Sequence, residues 1–251
     1  MKNSKAAFVI ASFVIVALAM HVSAAKPKKL FDCTGKIQKA IGKFNKKKYL
    51  DCQDILTEVL TQCPGHSAYD TALYFKAKSL LATKKHDEAK TEFDRLASTY
   101  PNSPYYEEAY FRLGQCMFLE SNSPDLDQTT TKDAQGRLKD FCESFSKSAY
   151  VDSAHVLIDR AQDKLAEKEF LNARFYEKIE QFEAAVVYHK MMIREFPQSK
   201  LVPQAMLSMA EDLIKANRMG EAAAVIDELS ARTNDETVLK KARSLKSKLS
   251  K

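Results

Sequence analysis

Apolar residues recur along this chain at helical spacing, in segments of roughly a dozen residues that short polar phrases separate. Leu73, Ala77 and Leu80 share one face of such a segment, because residues three and four apart lie on the same side of a helix. Ala89 and Phe93 mark the equivalent face of the next segment. This spacing predicts amphipathic helices that pack in pairs and are joined by short turns.

The turns that follow these helices also resemble one another. Similar phrases occur at four places: Tyr100-Pro101-Asn102-Ser103, Phe196-Pro197-Gln198-Ser199, and more loosely Cys63-Pro64-Gly65-His66 and Phe145-Ser146-Lys147-Ser148. Ala89 precedes Pro101 by twelve residues, and Ala185 precedes Pro197 by the same number. A small residue, a bulky one four later and a proline twelve later are typical of the second half of a tetratricopeptide repeat, a helix-turn-helix unit of about 34 residues.

The same frame predicts five repeats and a closing helix, at about 34–66, 67–103, 104–148, 149–200, 201–231 and 234–250. It assigns core positions to Ala40, Cys52, Leu56 and Val59 in the first repeat, and to Ala210, Leu213, Ala222, Ile226 and Leu229 in the fifth. The closing segment has Val238, Ala242, Leu245 and Leu249 on one face and lysines around the other, as a cap requires. We therefore expect an all-α fold: a right-handed superhelix of about five tetratricopeptide repeats with a C-terminal capping helix.

Two repeats depart from the regular length. The third opens with Tyr110-Phe111-Arg112-Leu113-Gly114, but its small residue, Ala134, comes 20 positions after Gly114 where 12 is usual. Eight extra residues are therefore predicted in its turn, within 120–128. In the fourth repeat, apolar positions continue at helical period from Tyr150 through Val156 to Tyr176, which predicts one helix of more than 25 residues. His189 occupies the slot of Phe93, and we interpret it as a histidine in an aromatic core position.

Composition agrees with a helical repeat protein. The chain has 6 Gly and 7 Pro in 251 residues, fewer than half of the roughly 30 that average usage would give. So few turn residues argue against β-sandwiches, barrels and enzymes with glycine-rich phosphate loops. Charged residues make up 29% of the chain, which is too many for a polytopic membrane protein.

Residues 1–24 resemble a secretory signal peptide. Lys2 and Lys5 precede an uncharged apolar run, Ala6–Met20, and Val22 and Ala24 offer small side chains to signal peptidase. The run is 15 residues, shorter than the ~20 that a membrane-spanning helix needs, although an uncleaved N-terminal anchor is the alternative. Cleavage would leave residues 25–251 as a single exported domain with 37 basic and 33 acidic residues, too mildly basic to indicate nucleic-acid binding.

Export makes disulfide bonds possible among the five cysteines. If the turn of the first hairpin centres near residue 48, Cys33 and Cys63 lie 15 residues on either side of it and face each other. We therefore predict a Cys33–Cys63 disulfide. Cys116 and Cys142 lie at unequal distances from the third turn and are expected to be separate buried thiols. Lipidation of Cys33 is not expected, because Asp32 precedes it where a lipobox has a small residue.

The common motifs of catalysis and metal binding are absent from the sequence. It contains no CxxC, HExxH or GxSxG, and no two histidines at i,i+4 spacing. We therefore predict no catalytic residues, no metal site and no cofactor. Acidic pairs such as Glu107-Glu108 are interpreted as solvated helix faces.

The best candidate for a binding surface is a group of aromatic residues in the predicted first helices of repeats two and three: Tyr69, Tyr74, Tyr105, Tyr106 and Tyr110. First helices line the concave side of such superhelices, and adjacent residues such as Tyr105 and Tyr106 cannot both face the core. With Arg112 nearby, a tyrosine-lined groove would suit an extended peptide that ends in an aromatic residue and a carboxylate. Packing in the core is the alternative for each tyrosine.

Three departures from a regular repeat carry a resemblance over about residues 35–230. The opening Tyr110-Phe111-Arg112-Leu113-Gly114, the insert Ser123-Pro124-Asp125-Leu126-Asp127-Gln128-Thr129, and the long helix with Asp163-Lys164-Leu165-Ala166 and Phe175-Tyr176 resemble BamD-type assembly factors of the bacterial outer membrane. The resemblance implies a non-enzymatic periplasmic scaffold at the inner face of the outer membrane. Its partners would be the periplasmic domains of the β-barrel insertase and the C-termini of unfolded outer-membrane protein precursors, with the N-terminal repeats facing precursor.

Members of that family usually carry a lipidated N-terminal cysteine, whereas this sequence has a plain signal-peptidase site. An alternative is a periplasmic repeat adaptor associated with Tol-Pal and cell division. Such adaptors tend to have regular repeats, without the insert or the long helix.

Overall fold

A computed structural model describes residues 31–249, so the predicted signal peptide and its cleavage site lie outside the described residues. Over this range the chain forms eleven helices and no strand. They are α1 (Cys33–Asn45), α2 (Tyr49–Gln62), α3 (Tyr69–Ala82), α4 (His86–Thr99), α5 (Tyr106–Glu120), α6 (Thr129–Ser144), α7 (Val151–Lys178), α8 (Phe182–Glu195), α9 (Val202–Lys215), α10 (Met219–Arg232) and α11 (Glu236–Leu249).

Each helix packs mainly against the helices that precede and follow it in the chain. The pairs α1/α2, α3/α4, α5/α6, α7/α8 and α9/α10 are five helical hairpins, and α11 covers the last of them. Contacts also join α1 to α3, α5 to α7 and α9 to α11, so these odd-numbered helices lie side by side. The architecture is the predicted all-α superhelix of tetratricopeptide repeats with a closing helix.

The predicted small residues lie at the contact between the helices. One occurs in the second helix of every hairpin, and each is 0% exposed: Cys52, Ala89, Ala134, Ala185 and Ala222. Bulky residues follow them four positions later, including the fully buried Phe93 and Leu138. A small side chain lets the two backbones approach, and the bulky one fills the space between hairpins.

Four of the five hairpins turn in the same way. A non-glycine residue with φ between 57° and 60° lies just after the first helix, namely Lys47, Lys84, Glu180 and Asn217. The next backbone N–H then donates to a carbonyl in the last turn of that helix, as in Lys48 to Lys43 at 2.9 Å and Lys85 to Leu80 at 3.0 Å. This hydrogen bond satisfies a carbonyl that the helix end would otherwise leave without a donor.

The third hairpin lacks this turn and contains the predicted insert, residues 121–128, instead. The long helix α7, 28 residues as its period predicted, holds the insert in place. Lys164 Nζ donates to the carbonyls of Ser121 at 3.2 Å and Asn122 at 2.8 Å, and Lys168 Nζ donates to the carbonyl of Asp125 at 2.8 Å. The two departures from the repeat are therefore one structural unit.

Three individual positions differ from the sequence-based expectation. Val156 is 57% exposed, because it lies on the face of α7 that turns away from the third hairpin. Cys142 is only half-buried, whereas Cys116 is fully buried as expected. His189 is buried as predicted, but its neighbours are polar, as described below.

None of the helices described, over 31–249, is both long enough and apolar enough to cross a membrane.

The predicted disulfide is confirmed. Cys33 and Cys63 are bonded, with their Cα atoms 6.1 Å apart. Cys33 is the first residue of α1 and Cys63 follows the end of α2, so the bond joins the open ends of the first hairpin. No repeat precedes this hairpin within the described residues, and the bond supplies a constraint where a neighbouring repeat would otherwise pack.

Replacing Cys33 and Cys63 with serine should lower the free energy of unfolding by about 3–4 kcal/mol, because the bond closes a loop with a sequence separation of 30. Urea titration monitored by circular dichroism, with and without reductant, measures the effect. A Cys142→Ser variant is the control and should keep the parent's response to reductant. Equal stability of the parent and the double variant under oxidising conditions would contradict the prediction.

A pair of glycines tests how closely α5 and α6 approach. A Cβ added at Gly114 would lie 2.9 Å from Leu138 Cγ and Cδ2, whereas one added at Gly136 would meet nothing within 4 Å. Gly114→Ala should therefore destabilise the fold by about 1–2 kcal/mol despite the better helix propensity of alanine. Gly136→Ala should stabilise it by up to about 1 kcal/mol. Thermal unfolding measures both effects. If the unfolding temperatures of the two variants shift in the same direction, the close approach of α5 and α6 is refuted.

Candidate peptide-binding groove

A cluster of charged and aromatic side chains surrounds Glu108 on α5. Tyr74 of α3 donates its hydroxyl to Glu108 Oε2 at 2.6 Å, and Arg112 Nε donates to Glu108 Oε1 at 3.2 Å. Lys78 Nζ lies 3.3 Å from Glu108 Oε1 and donates to the Tyr74 hydroxyl at 2.9 Å. Tyr150, which precedes α7, faces the same carboxylate. We call these five residues the Glu108 cluster.

The charges of the cluster fix its protonation. Burial, the largest influence, favours the neutral acid, but the hydroxyls of Tyr74 and Tyr150 and the charges of Lys78 and Arg112 together hold the pKa of Glu108 below its ordinary value. Burial and the nearby carboxylate raise the pKa of Tyr74 and of Tyr150. Glu108 is therefore ionised at neutral pH and Tyr74 keeps its proton. Two cations against one anion leave the cluster with one surplus positive charge.

Aromatic rings continue the cluster along the first helices. Tyr105 stacks on Tyr74 with ring centroids 4.1 Å apart, and Phe75 meets Tyr74 edge-on at 5.2 Å. Phe44 of α1 packs against Phe75 at 5.4 Å. At the other end, the Arg112 guanidinium lies over the Tyr150 ring at 5.5 Å. An aromatic stripe with a cationic centre thus extends over α1, α3, α5 and the start of α7.

Three of the six predicted groove residues lie elsewhere. Tyr69 is 5% exposed, and its hydroxyl donates to the Leu60 carbonyl at 3.0 Å, so it belongs to the core. Tyr106 and Tyr110 pack on the opposite side of α5, each with its ring centroid 6.0 Å from that of Phe145. Tyr105 and Tyr106 therefore diverge, as adjacent positions on a helix must.

The structure brings together Tyr74, Tyr105 and Arg112 of the predicted set. Lys78, Glu108 and Tyr150 were not predicted, and Glu108 was expected to be solvated, although its side chain is only 13% exposed. The spacing of Glu108 and Arg112, i and i+4 on one helix, was the available sequence signal for their ion pair. The approach of Lys78 and Tyr150 depends on packing between separate hairpins, which no local pattern encodes.

The accessible parts of the cluster determine what it can bind. The side chains of Lys78 and Arg112 are 28% and 24% exposed, and Tyr105 is half-buried beside them. A partly exposed guanidinium beside an aromatic ring suits a carboxylate attached to an apolar group. The arrangement favours binding of an anionic, partly aromatic peptide.

Glu108→Gln should destabilise the fold by about 2 kcal/mol at neutral pH, because Lys78 and Arg112 lose their shared anion. Since the native pKa of Glu108 is lowered, its contribution is complete above the ordinary value of 4.5 and is lost as the pH falls through the native pKa. The difference in free energy of unfolding between parent and variant, measured by urea titration, should therefore disappear in acid. Glu107→Gln, one residue away, is the control, and its free energy of unfolding should stay within about 0.5 kcal/mol of the parent. Equal destabilisation of both variants would refute Glu108 as the shared anion of Lys78 and Arg112.

Comparison with known proteins shows the family to which the chain belongs. The profile of the YfiO family, described as outer membrane lipoprotein, matches residues 34–229. Outer membrane protein assembly factor BamD of Caulobacter vibrioides is 26% identical over 186 residues, which are 74% of this chain and 59% of that protein. The protein of the same name from Rickettsia prowazekii is 22% identical over 178 residues, 71% of each chain. The matched region thus spans less than two thirds of the Caulobacter protein.

Among solved structures, a thermophilic TPR protein of Thermus thermophilus is similar, at 15% sequence identity and a TM-score of 0.36. The match covers 85% of this chain and 98% of that one. The family match itself covers most of the chain, from the first turn of α1 to the last turn of α10. The chain therefore belongs to the YfiO family of outer membrane lipoproteins, as its resemblance to BamD-type assembly factors indicated.

Proposed function

We propose that this protein is a non-enzymatic scaffold of the β-barrel assembly machinery, located in the periplasm at the inner face of the outer membrane. Family membership and the names of its relatives support a role in outer-membrane protein assembly. The structural observation that carries the proposal is the cationic, aromatic stripe along the first helices, because it fits a peptide rather than a small metabolite.

The precursor binds along this stripe. Unfolded outer-membrane proteins present an extended C-terminal segment, and its terminal carboxylate pairs with the surplus positive charge beside Arg112 and Lys78. An aromatic side chain of the precursor packs against Tyr105, whose ring extends the stack on Tyr74. Because the stripe lies on helices of the first four repeats, the N-terminal part of the molecule is the precursor-binding part.

The insertase binds at the C-terminal half of α7. Leu171 and Phe175 share one face of α7, and Ile179, the residue that follows the helix, continues the same i, i+4, i+8 spacing. They are 36%, 57% and 47% exposed. Basic and acidic side chains lie close to this apolar face, among them Lys168, Arg174, Lys178 and Glu211. An exposed apolar row with a charged border is typical of a surface that packs against another folded domain. Here the periplasmic domains of the insertase are that partner.

Attachment to the membrane comes from this partner rather than from a lipid on Cys33. The Cys33 sulfur forms the disulfide with Cys63, and the same sulfur cannot also carry a thioether-linked lipid. The two modifications are mutually exclusive.

Site-specific photocrosslinking in cells tests the proposal. A benzoylphenylalanine at position 105 should give adducts with outer-membrane protein precursors, and one at position 175 should give adducts with the insertase. Leu50, which is 62% exposed on the second helix of the first hairpin, is the control position and should give neither.

The outcome separates the possible functions. Adducts with Tol-Pal components at either position would instead favour the periplasmic adaptor associated with cell division. Adducts at position 50 equal to those at 105 and 175, or no adducts from a correctly folded protein, would overturn the scaffold proposal.

A further inference from the structure

Three chemically reactive side chains meet where the fourth hairpin joins the fifth. Glu177 lies in the last turn of α7, His189 is on α8 and Asp212 is on α9. His189 Nε2 is 3.0 Å from Glu177 Oε1 and 3.5 Å from Asp212 Oδ2. One nitrogen or oxygen atom from each residue lies within 4.8 Å of those of the other two.

This cluster is deep in the protein. His189 is 0% exposed and Asp212 is 1% exposed, and the Phe170 ring lies 5.7 Å from the imidazole. Buried polar groups are normally fully hydrogen-bonded, because water cannot compensate them. Here Asp212 Oδ2 and His189 Nδ1 make no hydrogen bond among the described residues. A carboxylate oxygen that is buried, makes no hydrogen bond and lies 3.5 Å from an imidazole nitrogen indicates a ligand site.

The charges around the cluster favour a cation. Two carboxylates face one imidazole, and Arg174 pairs with the other oxygen of Glu177, Oε2, at 3.2 Å, leaving Oε1 directed at His189. Lys215, the lysine of α9, has its Nζ over the Phe182 ring at 4.8 Å.

We propose that Glu177 Oε1, His189 Nε2 and Asp212 Oδ2 bind one Zn²⁺ ion. The spacings of 3.0 and 3.5 Å are close to the roughly 3.3 Å that separates ligands around tetrahedral zinc with bonds of about 2.0–2.1 Å. An imidazole nitrogen in the set favours zinc over Mg²⁺ or Ca²⁺, which prefer oxygen ligands alone.

A fourth ligand and a route of entry are available. Glu177 keeps its side chain 15% exposed and lines a cleft of about 870 Å³ with Glu211 and Lys215. A water molecule from this cleft completes the tetrahedron, and the ion enters from the same side.

The role of this site is structural. Its ligands come from three consecutive helices, so the ion fixes the last turn of α7 against α8 and connects the fourth repeat to the first helix of the fifth. The short motifs of metal binding could not indicate it, because the ligands are 12 and 23 residues apart in the sequence.

The direct test is zinc binding by the purified full chain. After treatment with a chelator, isothermal titration with ZnCl₂ should show one equivalent bound. X-ray absorption of the loaded protein should show one imidazole and three oxygen ligands. The proposal would be overturned if the parent protein bound no stoichiometric zinc, or if the spectrum showed two or more imidazole ligands.

Variants locate the ion. Asp212→Asn keeps the shape of the side chain and should weaken zinc affinity at least tenfold. His189→Phe, which restores the aromatic residue of the equivalent slot in the second repeat, should abolish binding. His86→Gln is the control, since His86 Nδ1 has only one carboxylate nearby among the described residues, Glu120 Oε1 at 3.3 Å, and should bind zinc like the parent. Unchanged affinity in folded Asp212→Asn, or loss in His86→Gln, would place the ion elsewhere.

Discussion

The close approach of two helices over one small, fully buried residue is the constraint on which the rest of this structure depends. In every hairpin that residue lies in the second helix, and four of the five are alanine. The hairpin alone cannot bury its apolar faces, so each must stack on the next, and the large side chains between them set the spacing of the stack. The superhelix is the result of repeating this contact.

A stack of this kind is weakest at its ends, where a hairpin has one neighbour instead of two. The first hairpin is closed by the Cys33–Cys63 bond, which joins its open ends covalently. The last is covered by α11, whose apolar face contributes Val238 and Ala242 to the core while its lysines face water. The covalent bond and the amphipathic cap thus each stabilise a terminal hairpin, by different physical means.

The distinctive parts of the molecule are the places where the repeat is interrupted. The insert of the third hairpin is held by hydrogen bonds of its own, such as Gln128 Nε2 to the Ser123 carbonyl at 2.6 Å, and by Lys164 and Lys168 of α7, which donate to its backbone carbonyls. The long helix then continues past this contact and presents Leu171, Phe175 and Ile179 at its far end. Insert and helix extension therefore depend on each other, and both lie within the region that matches the YfiO family.

The sequence by itself determined the helical hairpins, the cap, the insert, the long helix and the disulfide. These features follow from short-range periodicity or from symmetry about a turn, and both can be counted along the chain. It also indicated that Tyr105 and Tyr106 diverge, because neighbouring residues on a helix point in different directions. Only the tertiary structure decided which polar side chains meet. Glu108 looked like a surface acid until packing brought Tyr74 and Lys78 from another helix to it. Periodicity specifies which face of a helix is buried. The partner of a buried polar group such as His189 depends instead on how separate helices are rotated and offset against one another. Side-chain packing between the helices sets that rotation and offset.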